Sequence, residues 1–217
     1  MSGSTWGWAA LFLLGAYHGI NPGMGWLFAV ALGMQEKSGR AVWRALIPIT
    51  IGHALAIGVV VLAVKLLHRI IPMALLKWGV AVLLIGLGFH RLFRCWHPRG
   101  AGMRAGSLSL AVWSFLMASA HGAGLMLIPV LFGMSASVGD VAGGHAHEHG
   151  AAMLGGPWLG LAAVVVHTEG YLLVTGIVAW LVYEKLGVAL LRKAWVNLDL
   201  IWAVALLVTG TAVLLMM

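Results

Sequence analysis

Four histidines lie inside long apolar runs: His18, His53, His121 and His167. An ionisable side chain in such a run is costly, and it marks a pathway or a binding site. Imidazole is a ligand for nickel, cobalt, zinc and copper. Each histidine could instead hydrogen-bond a neighbouring helix and lock packing, and both readings stand for each. Glu169 is the acid deepest in an apolar run, two positions after His167, so the two point to different faces of a helix. A carboxyl at that depth suits proton coupling. His145, His147 and His149 alternate in a Gly/Ala-rich stretch near Asp140 and suggest a metal-collecting loop. Asn21, Pro22 and Gly23 predict a helix break. Met24, Met117, Met126 and Met134 offer thioethers, which suit soft metals but more often fill gaps. Cys95 is the single cysteine and has no partner for a disulfide. The chain has no GxxxxGK[ST] phosphate loop, no His-Glu metalloprotease motif and no serine nucleophile motif. No enzyme activity and no resident cofactor are expected.

The elements that must position these groups follow from composition. Of 217 residues, 62% are hydrophobic and 9% charged, and mean hydropathy is +1.00. A soluble domain carries about a quarter charged residues, so a soluble enzyme, a disordered chain and a disulfide scaffold are excluded. The net charge of +7 comes from bases between apolar runs, a pattern of membrane topology rather than of nucleic-acid binding. About 20 apolar residues cross a bilayer. Six runs qualify, near 6–33, 44–66, 74–93, 107–134, 157–182 and 196–217, and the first and fourth are long enough to require a kink or a break. The first, third and fifth connections hold ten of the thirteen Lys and Arg, and the fourth, 135–156, holds none. The positive-inside rule then puts both termini and the His-containing 135–156 loop outside the cytoplasm, in a multi-pass protein of a bacterial-type inner membrane.

Three spans followed by three suggest an inverted repeat, 6–94 and 107–217. Ala16-Tyr17-His18-Gly19 compares with Ser119-Ala120-His121-Gly122, His53 with His167, and Trp78-Gly79-Val80-Ala81 with Trp202-Ala203-Val204-Ala205. Within the third pair Gly86 also meets Gly210. The pairing places one histidine in the first span and one in the second span of each half. Related by a two-fold axis, the four are expected to converge on one metal site.

Gly15-Ala16-Tyr17-His18-Gly19-Ile20-Asn21-Pro22-Gly23 resembles the first-span motif of the NicO-type nickel/cobalt efflux family, within the LysE transporter superfamily. That motif reads roughly G-A-x-H-G-x-x-P-G-H. Arg40-Ala41-Val42 and Ile51-Gly52-His53 are similar to the landmarks that follow it, and a His-rich loop is typical of the family. The resemblance covers mainly residues 15–60. It departs at Met24, where the pattern has His, and at His121-Gly122-Ala123-Gly124, where the family has a Pro-Cys motif. The resemblance implies that His18 and His53 are metal-site residues.

The expectation is therefore an all-α integral membrane protein of six helices, with spans 1 and 4 kinked or broken. Its expected function is proton-coupled efflux of a divalent transition metal such as nickel or cobalt. Its partners are the lipid bilayer and the metal ion or small cation; a homo-oligomer is left open. A LysE-like exporter of a small organic cation or amino acid, and a haem-binding membrane protein with paired axial histidines, are the alternatives.

Overall fold

A computed structural model describes residues 3–93, 106–139, 157–186 and 191–215, with side chains over 5–90, 92–93, 106–134, 158–185 and 200–215. These residues are almost entirely helical, with no strand among them. The helices are α1 (Gly3–Ile20), α2 (Trp26–Gln35), α3 (Gly39–Leu67), α4 (Met73–Phe93), α5 (Ser107–Ala120), α6 (Ala123–Gly139), α7 (Pro157–Leu181) and α8 (Leu191–Leu215). Each of the six apolar runs coincides with one helix or with one interrupted pair. Among the described residues, three helices are long and apolar enough to cross a membrane, α3, α4 and α7; bent by 57°, α5 and α6 make a fourth if taken as one span.

The two interruptions have local causes. After α1, Asn21 adopts extended backbone and its Oδ1 accepts from the Gly23 N–H at 2.9 Å, opening a single 3-10 turn over Pro22–Met24. Pro22 has no N–H to continue the α-helical ladder, and Gly25, at φ 129°, turns the chain into α2. An interruption exposes carbonyls that a membrane interior cannot solvate. Side chains take them up here. The Trp26 indole donates to the Ile20 carbonyl at 2.9 Å, Thr175 Oγ1 to Gly19 at 3.5 Å, and the Tyr171 hydroxyl to Met24. Between α5 and α6 the turn falls at His121 and Gly122, with Gly122 at φ 69°, and the Trp202 indole donates to the His121 carbonyl at 3.1 Å.

Helices pair as α1 on α7, α3 on α5 and α4 on α8, and α3 also packs on α7. Helices in lipid gain little from apolar burial against one another, so close backbone approach and hydrogen bonds carry association. At the α1–α7 crossing Gly15 lies on the His167 carbonyl and Gly170 on the Phe12 carbonyl, and a Cβ at either would collide with backbone. At the α3–α5 crossing the buried Ser114 hydroxyl donates to the Ile49 carbonyl at 2.7 Å. The core runs through Leu11, Ile57, Leu84, Leu127 and Leu206, all fully buried. The outside is equally apolar: Ile47, Ile51, Leu55, Val59, Leu62 and Leu66 form an exposed stripe along α3. Such a surface suits a multi-pass membrane protein and would be unfavourable in water.

Candidate functional site

Three of the four histidines meet in the core. His18 comes from the last turn of α1, His53 from the middle of α3 and His167 from the middle of α7, and all three are fully buried. Their ring centroids stand 5.0 Å (His18 to His167), 5.6 Å (His53 to His167) and 5.8 Å (His18 to His53) apart. The close α1–α7 crossing at Gly15 and Gly170 brings two of them together; the packing of α3 on α7 brings the third.

The free ring atoms define what this cluster can do. His18 Nδ1 lies 2.7 Å from the Leu14 carbonyl. A carbonyl only accepts, so this nitrogen carries the proton and Nε2 keeps its lone pair. That Nε2 is buried without a hydrogen-bond partner, as are Nδ1 of His53 and Nδ1 of His167. His53 Nε2 and His167 Nε2 face each other at 3.5 Å. A tetrahedral centre with metal–nitrogen bonds of about 2.1 Å sets two ligating nitrogens about 3.4 Å apart. The His53–His167 pair therefore stands at ligand spacing. Among the described residues, no three His, Cys, Asp or Glu side chains already converge on one point to hold a metal. His18 is the adjacent third ring, and its lone pair would have to turn toward the pair to complete such a set.

Two aromatic residues frame the cluster. Tyr171 stacks on His53 at 3.8 Å between ring centroids with 8° between planes, and its hydroxyl is the one that holds the Met24 carbonyl. It fixes the face of the His53 ring and ties it to the break after α1. Trp202 meets His18 edge-on at 4.7 Å and His121 at 5.4 Å. Tyr17 stacks flat on this indole, 4.9 Å away with 4° between planes.

His121 meets the cluster through Trp202, whose indole touches both His121 and His18. It is buried, and its Nδ1 lies 2.8 Å from the Met117 carbonyl, the same i−4 bond that His18 makes with Leu14. Glu169 does not join the histidines; it is exposed on the outer face of α7. Asn21 is buried at the α1–α2 interruption, with Pro22 beside it and Gly23 next in the turn. Met24 is buried in the same turn, and its backbone carbonyl rather than its sulfur is what the structure uses. His145, His147 and His149 lie outside the described residues. Tyr171 and Trp202 were not singled out as site residues from the sequence. Tyr171 had a legible signal, since it follows His167 by four residues and shares its helix face. The role of Trp202 depends on how α8 packs and had none. No protein-family model, curated protein or solved structure matches the chain.

Proposed function

We propose that this chain is a secondary transporter of a divalent transition-metal cation, nickel or cobalt being the natural candidates, and that it works in efflux. The observation that carries the reading is the buried cluster of His18, His53 and His167, with the facing Nε2 atoms of His53 and His167 at 3.5 Å. Leaving a polar nitrogen buried and unpaired costs about 1–3 kcal/mol. Placing three buried imidazoles side by side in an apolar bundle is poor design for packing and good design for receiving a cation. The imidazoles are neutral ligands of the right softness for nickel, cobalt or zinc. The resemblance of residues 15–23 to the first-span motif of nickel/cobalt efflux proteins supports the same cargo.

In this proposal six spans form two inverted repeats. The first span is α1 with α2 and the fourth is α5 with α6, each interrupted; α3, α4, α7 and α8 supply the rest. Two regularities support it. α1 packs on α7 as α5 packs on α3, the pairing that exchanging the two halves would produce. His18 and His121 make the same back-bond before their interruptions. The ion enters at the interruptions, where backbone carbonyls lie within the bundle, and Trp202 touches both His121 and His18. Glu169 is not on this path, and the coupling proton is not assigned to it. The odd connections face the cytoplasm and the 135–156 loop faces outward, where its histidines gather or release the ion.

The test is equilibrium binding of Ni2+ and Co2+ to purified protein, native against His53→Ala and His167→Ala, followed by flux into proteoliposomes. Unchanged binding in both variants removes the site; binding without flux removes transport.

A further inference from the structure

The crossing of α4 on α8 matches itself. A Cβ added at Gly88 would meet the Leu207 side chain and the Ala203 carbonyl, and one added at Gly210 would meet the Ile85 side chain and the Ala81 carbonyl. Gly88 to Gly210, Ile85 to Leu207 and Ala81 to Ala203 are one and the same displacement along the chain, so exchanging the two helices reproduces the contact. Exposure follows the same displacement: Leu84 and Leu206 are both fully buried, and Trp78 and Leu200 are both half exposed. This displacement pairs Trp202 with Val80 and not with Trp78. No side chain separates the backbones at either glycine, and such close approach is what holds helices together in lipid.

The surroundings of this pair do not match in the same way. α4 and α8 both lie against α6, whereas α2, the helix after the first interruption, packs on α3 and α7. Leu87 of α4 and Leu206 of α8 both reach Gly122 at the second interruption; Gly19, just before the first, lies on Tyr171 and Thr175 of α7. Trp202 fastens α8 at the second interruption. Its indole N–H donates to the His121 carbonyl at 3.1 Å, and its ring meets His18 edge-on at 4.7 Å. The Tyr17 hydroxyl donates to the neighbouring Ile201 carbonyl at 3.3 Å. Val80, the counterpart of Trp202, has neither a ring nor a side-chain donor for such a fastening. A pair that matches itself therefore leans to one side, and one of its two helices carries the fastening.

We propose that α4 and α8 move as one body against the rest of the bundle, and that Trp202 is the latch that holds them at the second interruption until a bound ion turns His18. This movement regulates the transport site proposed above and rests on that reading. To join His53 and His167 the lone pair of His18 has to turn, and a rotating imidazole sweeps into the space of an edge-on ring 4.7 Å away. Trp202 is displaced, and its hydrogen bond to the His121 carbonyl opens. One such bond contributes about 0.5–1.5 kcal/mol net, and apolar helix faces in lipid have no hydrophobic force holding them to one another. Ion binding is enough to open the latch, while the α4–α8 crossing, with each glycine on an opposing carbonyl, stays closed. The ion favours the released state because there His18 reaches it, and a ligand shifts an equilibrium by its preference for one state. Rocking of one packed unit around a fixed site gives a repeated bundle access to each side of the membrane in turn.

The experiment uses the full chain with Cys95→Ser in liposomes, with nitroxide labels on cysteines at exposed positions. One pair, Val59 with Val82, spans α3 and α4; the other, Val82 with Val204, lies within the moving pair. Distances are read by double electron–electron resonance, with EDTA and with saturating Zn2+, a diamagnetic ion that suits the same imidazoles and whose binding is measured separately by titration. Zn2+ should move the Val59–Val82 distance to a second resolved population and leave the Val82–Val204 distance unchanged. Trp202→Phe keeps a ring and loses the donor to His121, so it should populate the second distance without any ion. Tyr17→Phe removes the donor to Ile201 and should shift the population the same way by less. Retained helical circular dichroism shows that neither shift is unfolding. A Val59–Val82 distance that Zn2+ leaves unchanged in ion-bound protein overturns the movement. A Val82–Val204 distance that changes with it overturns the single body, and variants that stay at the native distance without ion overturn the latch. Absence of Zn2+ binding removes the transport reading instead, and the movement then stands or falls on the ion-free shift in the two variants.

Discussion

At the residue scale, the cluster separates by role. His53 and His167 stand at ligand spacing, so in the proposed site each would be a ligand. Replacing either by alanine should lower nickel affinity at least tenfold, and the double variant should lose little more, because a site missing one ligand has already failed. His121, which meets the cluster through Trp202, should behave differently: His121→Ala leaves equilibrium affinity within a few-fold and slows flux. Isothermal titration and proteoliposome uptake distinguish the two. Equal loss of affinity in His121→Ala and His53→Ala would place all four histidines in one site. Tyr171 acts through its ring and its hydroxyl separately. Tyr171→Phe keeps the stacking on His53 and leaves the Met24 carbonyl without its donor. It should cost about 1–3 kcal/mol of stability in detergent, with ion affinity nearly kept, whereas Tyr171→Ala should lose affinity as well.

At the scale of elements, the crossing of α1 on α7 decides whether there is a site at all. Gly15 and Gly170 meet opposing backbone carbonyls, and no side chain separates the helices there. Gly15→Ala forces the helices apart against backbone that cannot yield as a side chain does. Its cost should fall in the range of about 1–3 kcal/mol typical of overpacking, or above it. It should also weaken ion binding, since separating α1 from α7 carries His18 away from His167. A lowered unfolding temperature with unchanged affinity would show that the triad does not depend on this crossing. The control is Gly58→Ala on α3, where an added Cβ meets nothing within 4 Å and the effect should be close to zero.

At the scale of the whole molecule, the proposed orientation rests on charge. Ten of thirteen bases lie in the odd connections. A reporter active only outside the cytoplasm should be silent when fused after Gly39 and active when fused after Gly144. The opposite pattern would reverse the molecule and move His145, His147 and His149 to the cytoplasmic side.

Much of this protein could be read from composition and spacing, because a bilayer demands long apolar helices and these are one-dimensional signals. The helical segments, the need for interruptions in the first and fourth runs, and the place of His18, His53 and His167 inside apolar helices all came from local pattern. Asn21-Pro22-Gly23 announced its own break, since the missing proline N–H is a property of the residue. Three matters belonged to the tertiary structure alone. The first is which histidine rings stand together: His18, His53 and His167 contact one another, and Trp202 of α8 touches both His18 and His121. The second is the stacking of Tyr171 on His53, which depends on how α3 packs against α7. The third is the outward placement of Glu169: helical spacing separates it from His167 but does not say which face is the core. Periodicity fixes angles around one helix; only packing sets one helix's angle against another's, and a polar group between helices takes its meaning from that second angle.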